Sequence, residues 1–124
     1  MPAINQLIPN AEDLLALEPE ELAPILLQYI ASGGAGGGSS YQPLKRGNFF
    51  MGPVSPGAQY PQGYAQRVNE AFMGAWIWLE REGLLLPAPN QQDRDWVIVS
   101  ERGMALLSKE KFDVYKFSTL FPRK

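Results

Sequence analysis

Cysteine and histidine are both absent from this chain of 124 residues. Without cysteine there is no disulfide framework and no thiolate metal site. Without histidine the usual general base and the commonest metal ligand are missing. These absences weigh against catalysis more than any motif weighs for it, so the expectation is a non-enzymatic protein without cofactor or metal. Long apolar runs are lacking too, and no basic region followed by an apolar stretch opens the chain. Neither a membrane span nor a secretory leader is expected, and the expected location is the cytoplasm. Positive charge is missing from the first part: through Ser40 there is no Lys or Arg, against Glu12, Asp13, Glu18, Glu20 and Glu21. All 11 basic residues fall in the remainder, so a polyanion would approach that part of a chain whose net charge is −2.

What is present amounts to one domain with an ordinary apolar fraction of 45%. The acidic segment 1–32 reads as helical. Asn10 can cap Ala11, Glu12 and Asp13, and Pro19 followed by Glu20 and Glu21 is a second helix start. Leu22, Ile25, Leu26, Tyr29 and Ile30 recur at helical spacing, with Pro24 expected to kink the helix or to mark where it properly starts. Residues 33–40 (GGAGGGSS) form a flexible loop. Gly33 and Gly38 have the spacing of a phosphate loop, but Ser39 stands where its Lys belongs and no strand precedes it.

The core is expected over 41–124. Pro43, Pro53, Pro56 and Pro61 exclude a long helix before Gly63, leaving a segment laid over the core with one or two helical turns. Lys45 and Arg46 stand just ahead of Phe49 and Phe50, the one place where basic and aromatic residues interleave, although the two Phe are more often core anchors. Residues 64–82 give the strongest helix, with Val68, Phe72, Ala75, Trp76 and Leu79 on one face. Met73, Ile77 and Trp78 widen the apolar surface to a second face, and Gly83 ends the helix. A hairpin over 84–99 follows, its polar loop spanning 87–95. Helices over 101–107, capped by Ser100, and over 109–117 complete the chain. The fold expected is α+β: mostly helical, with a small antiparallel β-hairpin.

The run Glu82-Gly83-Leu84 after the helix, and Ser100-Glu101-Arg102-Gly103 after the hairpin, resemble winged-helix proteins. The resemblance covers about a third of the chain and implies a winged-helix-like domain, a fold used for both DNA and protein recognition. More loosely, the Leu-Glu-Pro-Glu-Glu-Leu-Ala near the start and the Leu-Phe-Pro-Arg-Lys at the end resemble the N-terminal region of the Ymh-like bacterial proteins, a family without an established activity. That resemblance implies the front part of a longer protein.

Two recognition roles follow as expectations, nucleic acid slightly ahead of a protein partner. For DNA, Gln66, Arg67 and Asn69 on the helix would meet base edges, Arg94 at the wing tip would meet phosphate, and Lys45 and Arg46 would add charge. The cations are few, since Asp93 and Asp95 flank Arg94 and Glu70 lies beside Arg67. For a protein partner, or self-association, Met73, Trp76, Ile77 and Trp78 would supply the interface. The carboxylate pairs Asp93/Asp95 and Glu80/Glu82 sit on a loop tip and a helix end, where solvated charge is normal.

Overall fold

Helix α5 (Ala65–Arg81) carries one fully apolar face: Val68, Phe72, Ala75, Trp76 and Leu79 have no exposed surface. Several of the described elements pack against it. The structure, a computed structural model, describes residues 4–32, 43–51, 55–89 and 91–107. The expected flexible loop at 33–40 and helix at 109–117 lie outside the described residues.

Three helices precede the sheet: α1 (Ile4–Leu7), α2 (Ala11–Leu15) and α3 (Pro19–Ala31). Asn10 caps α2 as its residue type predicts, its side chain accepting from Glu12 N at 2.8 Å. Glu21 returns its carboxylate to Glu18 N at 2.9 Å and so closes the first turn of α3. Pro24 lies inside α3, which is helical on both sides of it. Leu22, Leu26, Tyr29 and Ile30 are buried as expected. Ala23 and Leu27 join them, while Ile25 is only half-buried. Helix α1 has no helical period to announce it. It is held from 55 residues away, Gln59 Oε1 accepting from Ile4 N at 2.8 Å.

The fold is α+β, as expected, but the sheet has three strands among the described residues rather than a bare hairpin. Strands β2 (Leu85–Pro87) and β3 (Trp96–Val99) are joined by β1 (Leu44–Lys45) in the antiparallel order β1-β3-β2. Leu44 pairs with Val97 and Lys45 with Trp96, and the short helix α4 (Arg46–Phe49) follows at once. Alternation along the strands buries Leu44, Leu85, Val97 and Val99 on the inner face. Leu86 is 41% exposed on the outer face, where it pairs with Ile98.

The joint between α5, the sheet and α6 (Glu101–Leu106) is built from small residues. Gly83 adopts φ 74°, the left-handed turn that ends α5. Ser100 Oγ then donates to Gly83 O at 2.7 Å and accepts from Gly103 N at 3.0 Å. One hydroxyl therefore caps α6 and ties it to the end of α5. Gly103 lies so near β2 that a Cβ there would stand 2.7 Å from Leu84 O. Ser100→Ala removes both bonds, and loss of the cap alone costs about 1–2 kcal/mol. Urea denaturation should show that drop without a change in far-UV dichroism of the native state.

Tyr60 fastens the N-terminal helices to this body, its hydroxyl donating to Ile8 O at 2.6 Å. Burial pushes that hydroxyl up to about 12 from an ordinary value of 10.0. Because the folded value lies above the unfolded one, the stabilisation is complete below pH 10 and fades as pH rises toward about 12. Denaturation midpoints should therefore fall over that alkaline window more steeply in the wild type than in Tyr60→Phe.

Candidate functional site

The loop between β2 and β3 is the polar hairpin loop expected from sequence, and its acids face the end of β1 and the start of α4. Its base is set by Ala88 N donating to Trp96 O at 2.8 Å, and its tip by Asp93 Oδ1 accepting from Asp95 N at 2.9 Å. Within that frame Asp95 reaches Arg46, with Nε to Oδ1 at 3.0 Å, while its Oδ2 accepts from Gly47 N at 2.9 Å. The backbone repeats the link, Arg46 N donating to Asp95 O at 2.9 Å. Lys45 Nζ stands 3.5 Å from Asp93 Oδ2 and 5.9 Å from the centre of the Trp96 ring. Two consecutive cations are thus met by two alternate carboxylates.

This arrangement changes the meaning of Lys45 and Arg46. They were expected to add charge for a polyanion; in the structure each stands partly exposed beside a carboxylate of the loop. The Asp93 carboxyl is held below the usual carboxylate range, chiefly by the hydrogen bond from the Asp95 backbone, with Lys45 adding to the effect and partial burial opposing it. Beside the pairs opens a cleft of about 390 Å³ lined by Arg46, Glu80, Pro87, Asp93, Arg94, Asp95 and Val97. Arg94 is exposed on the loop, lines this cleft and joins no ion pair among the described residues.

The remaining predicted contacts separate into outward and inward ones. Gln66 and Arg67 are exposed on α5. Asn69 is not: its Oδ1 accepts from Gly57 N at 2.7 Å and so pins the 3-10 turn Pro56–Gln59 against the start of α5. A Cβ on Gly57 would run into Ala65 O, which shows how closely the turn is pressed there. The amide expected to read a base is therefore a structural clasp. The lining of the proposed apolar interface divides in the same way. Trp76 has no exposed surface, with the Phe49 and Phe50 rings 5.5 and 5.7 Å from it, so it belongs to the core and not to a surface. Its neighbour Ile77 is 43% exposed, and Met73 and Trp78 are half-buried. The adjacency of Trp76 and Trp78 already implied two faces; which one the Pro-rich segment covers depended on Phe49 and Phe50.

Two features escaped the sequence reading: the role of Asp95, and the outer sheet face formed by Leu86, Trp96 and Ile98. The period-2 pattern Trp-Val-Ile-Val was the available signal for the face. No signal paired Asp95 with Arg46, 49 positions earlier. Among the described residues there is no group of acidic side chains placed to hold a metal ion, and no helix is long and apolar enough to cross a membrane. No family model, no curated protein and no solved structure matches the chain.

Asp95 is the test of the wing. Asp95→Ala leaves Gly47 N and the Arg46 guanidinium without their acceptor and should lower stability by about 1–3 kcal/mol in urea denaturation. Asp95→Asn keeps an oxygen for Gly47 N and should recover most of that loss.

Proposed function

We propose that the domain is a winged-helix-like, non-catalytic recognition module of the cytoplasm that engages another protein chain rather than nucleic acid. The winged-helix part of the reading is supported by helix α5 running into a hairpin whose third strand comes from just before a short helix. The choice of partner rests on a single observation, the pairing of Lys45 with Asp93 and of Arg46 with Asp95. Duplex binders draw their affinity from neutralised phosphates, typically about six to ten of them. Among the described residues, Lys45 and Arg46 are paired with carboxylates, and Arg67, Arg81 and Arg94 are exposed without forming one basic face.

The surface left over suits a protein. Ile77, with Met73 beside it, lies on the outward side of α5, and Leu86, Trp96 and Ile98 line the outward side of the sheet. Aromatic and aliphatic side chains of this kind, partly exposed on rigid elements, are what interfaces anchor on. A random DNA duplex titrated with the protein at low salt, followed by fluorescence anisotropy, should show no saturable binding. A micromolar Kd that weakens steeply with added salt would overturn the reading.

A further inference from the structure

We propose that the outward stripe of α5 pairs antiparallel, about a two-fold axis, with the same stripe of a second copy of this chain. The inference rests on the protein-recognition reading above and names the partner.

Glu70, Gly74, Ile77 and Arg81 follow one another at intervals of four, three and four residues. That spacing keeps them in line on one side of a helix, as in the seam of a coiled coil. It is the side turned away from the buried Val68–Phe72–Ala75–Trp76–Leu79 face. Glu70, Ile77 and Arg81 are exposed there, and Gly74 is half-buried. The middle of the stripe is apolar, with Ile77 43% exposed and the half-buried Met73 beside it.

The stripe is its own complement when reversed. Set against a copy running the other way, Glu70 stands opposite Arg81 and Gly74 opposite Ile77, and the two-fold axis repeats both matches. Acid meets base, and a large side chain meets a gap. A parallel pairing would instead oppose Glu70 to Glu70 and Arg81 to Arg81. Neither residue joins an ion pair among the described residues, so both charges are open to the second copy.

A glycine inside a helix destabilises it relative to alanine, and packing within the chain does not call for one at position 74. Among the described residues a Cβ there would meet only Pro19 Cγ, at an ordinary contact distance of 3.7 Å. A facing helix does call for one, since bare backbone opposite a branched side chain lets two helices approach closely. The Ile77–Gly74 contact supplies affinity, while the exposed charges contribute little energy and set the orientation. From Glu70 to Arg81 the stripe runs about 16 Å at 1.5 Å per residue. That is a small patch beside the roughly 800 Å² each partner gives to a standard interface, so the dimer is weak, with a Kd on the order of 100 μM.

Sedimentation equilibrium of the full chain from about 10 μM to 1 mM should show a monomer–dimer transition. Ile77→Ser should remove it. Glu70→Arg and Arg81→Glu each turn two attractions into two repulsions, and each alone should weaken association about tenfold. The double variant Glu70→Arg/Arg81→Glu should regain the wild-type value. An equimolar mixture of the two single variants should form heterodimers as tight as the wild-type dimer, because every facing pair is again opposite in sign. These side chains are exposed, so far-UV dichroism of each variant should match the wild type. The proposal is overturned if the chain is monomeric at millimolar concentration. It is equally overturned if the reversals leave a dimer unchanged, or if their mixture associates no better than either variant alone. The two readings fail separately: saturable duplex binding sinks protein recognition, whereas a monomer without duplex binding sinks this pairing alone and leaves the face to a different protein.

Discussion

Burial of the Val68–Phe72–Ala75–Trp76–Leu79 face of α5 is the constraint on which the rest of the chain depends. A helix that hides five side chains completely needs cover along its whole length, and no single neighbour is long enough to give it. Helix α3 supplies one wall, and Phe49 and Phe50 close over Trp76. The turn Pro56–Gln59 closes the N-terminal end through Asn69. The proline-rich stretch thus acts as a covering layer, shaped by residues that cannot continue a helix and anchored by aromatic rings that water rejects.

The β2–β3 hairpin obeys a different rule. Its strands are fixed by burial of Leu85, Val97 and Val99, but its tip is fixed by charge. Asp95 meets α4 through its carboxylate and its backbone carbonyl together, which places the β2–β3 loop against Arg46 and Gly47. Apolar burial is hard to undo, while exposed charge is exchangeable. That difference separates the packed body of the domain from the loop that charge holds against it.

Much of the architecture was legible from residue order. The Asn10 cap, the Pro19 start, the long helix, the left-handed Gly83 and the Ser100 cap all lie where local chemistry puts them. These are short-range effects, written within four residues of the position they govern. Helix α1 fell inside the segment read as helical but was not legible as a separate helix, and strand β1 was not legible at all, for the converse reason. Four residues and two residues are too few to show a period, and each exists through a partner far along the chain, Gln59 for one and Trp96–Val97 for the other.

Sequence by itself determined the class of fold, the face of α5 that is buried, and the poverty of groups for acid–base or metal chemistry. The tertiary structure alone decided which polar and aromatic residues remain available to a partner. Asn69 and Trp76 have the composition of contact residues, yet one clasps Gly57 and the other fills the core. Lys45 and Arg46 read as open charge until Asp93 and Asp95 arrive from 48 and 49 positions away. The physical reason is common to all four: hydrophobic period and capping act along the chain, whereas the availability of a side chain depends on what folds back against it.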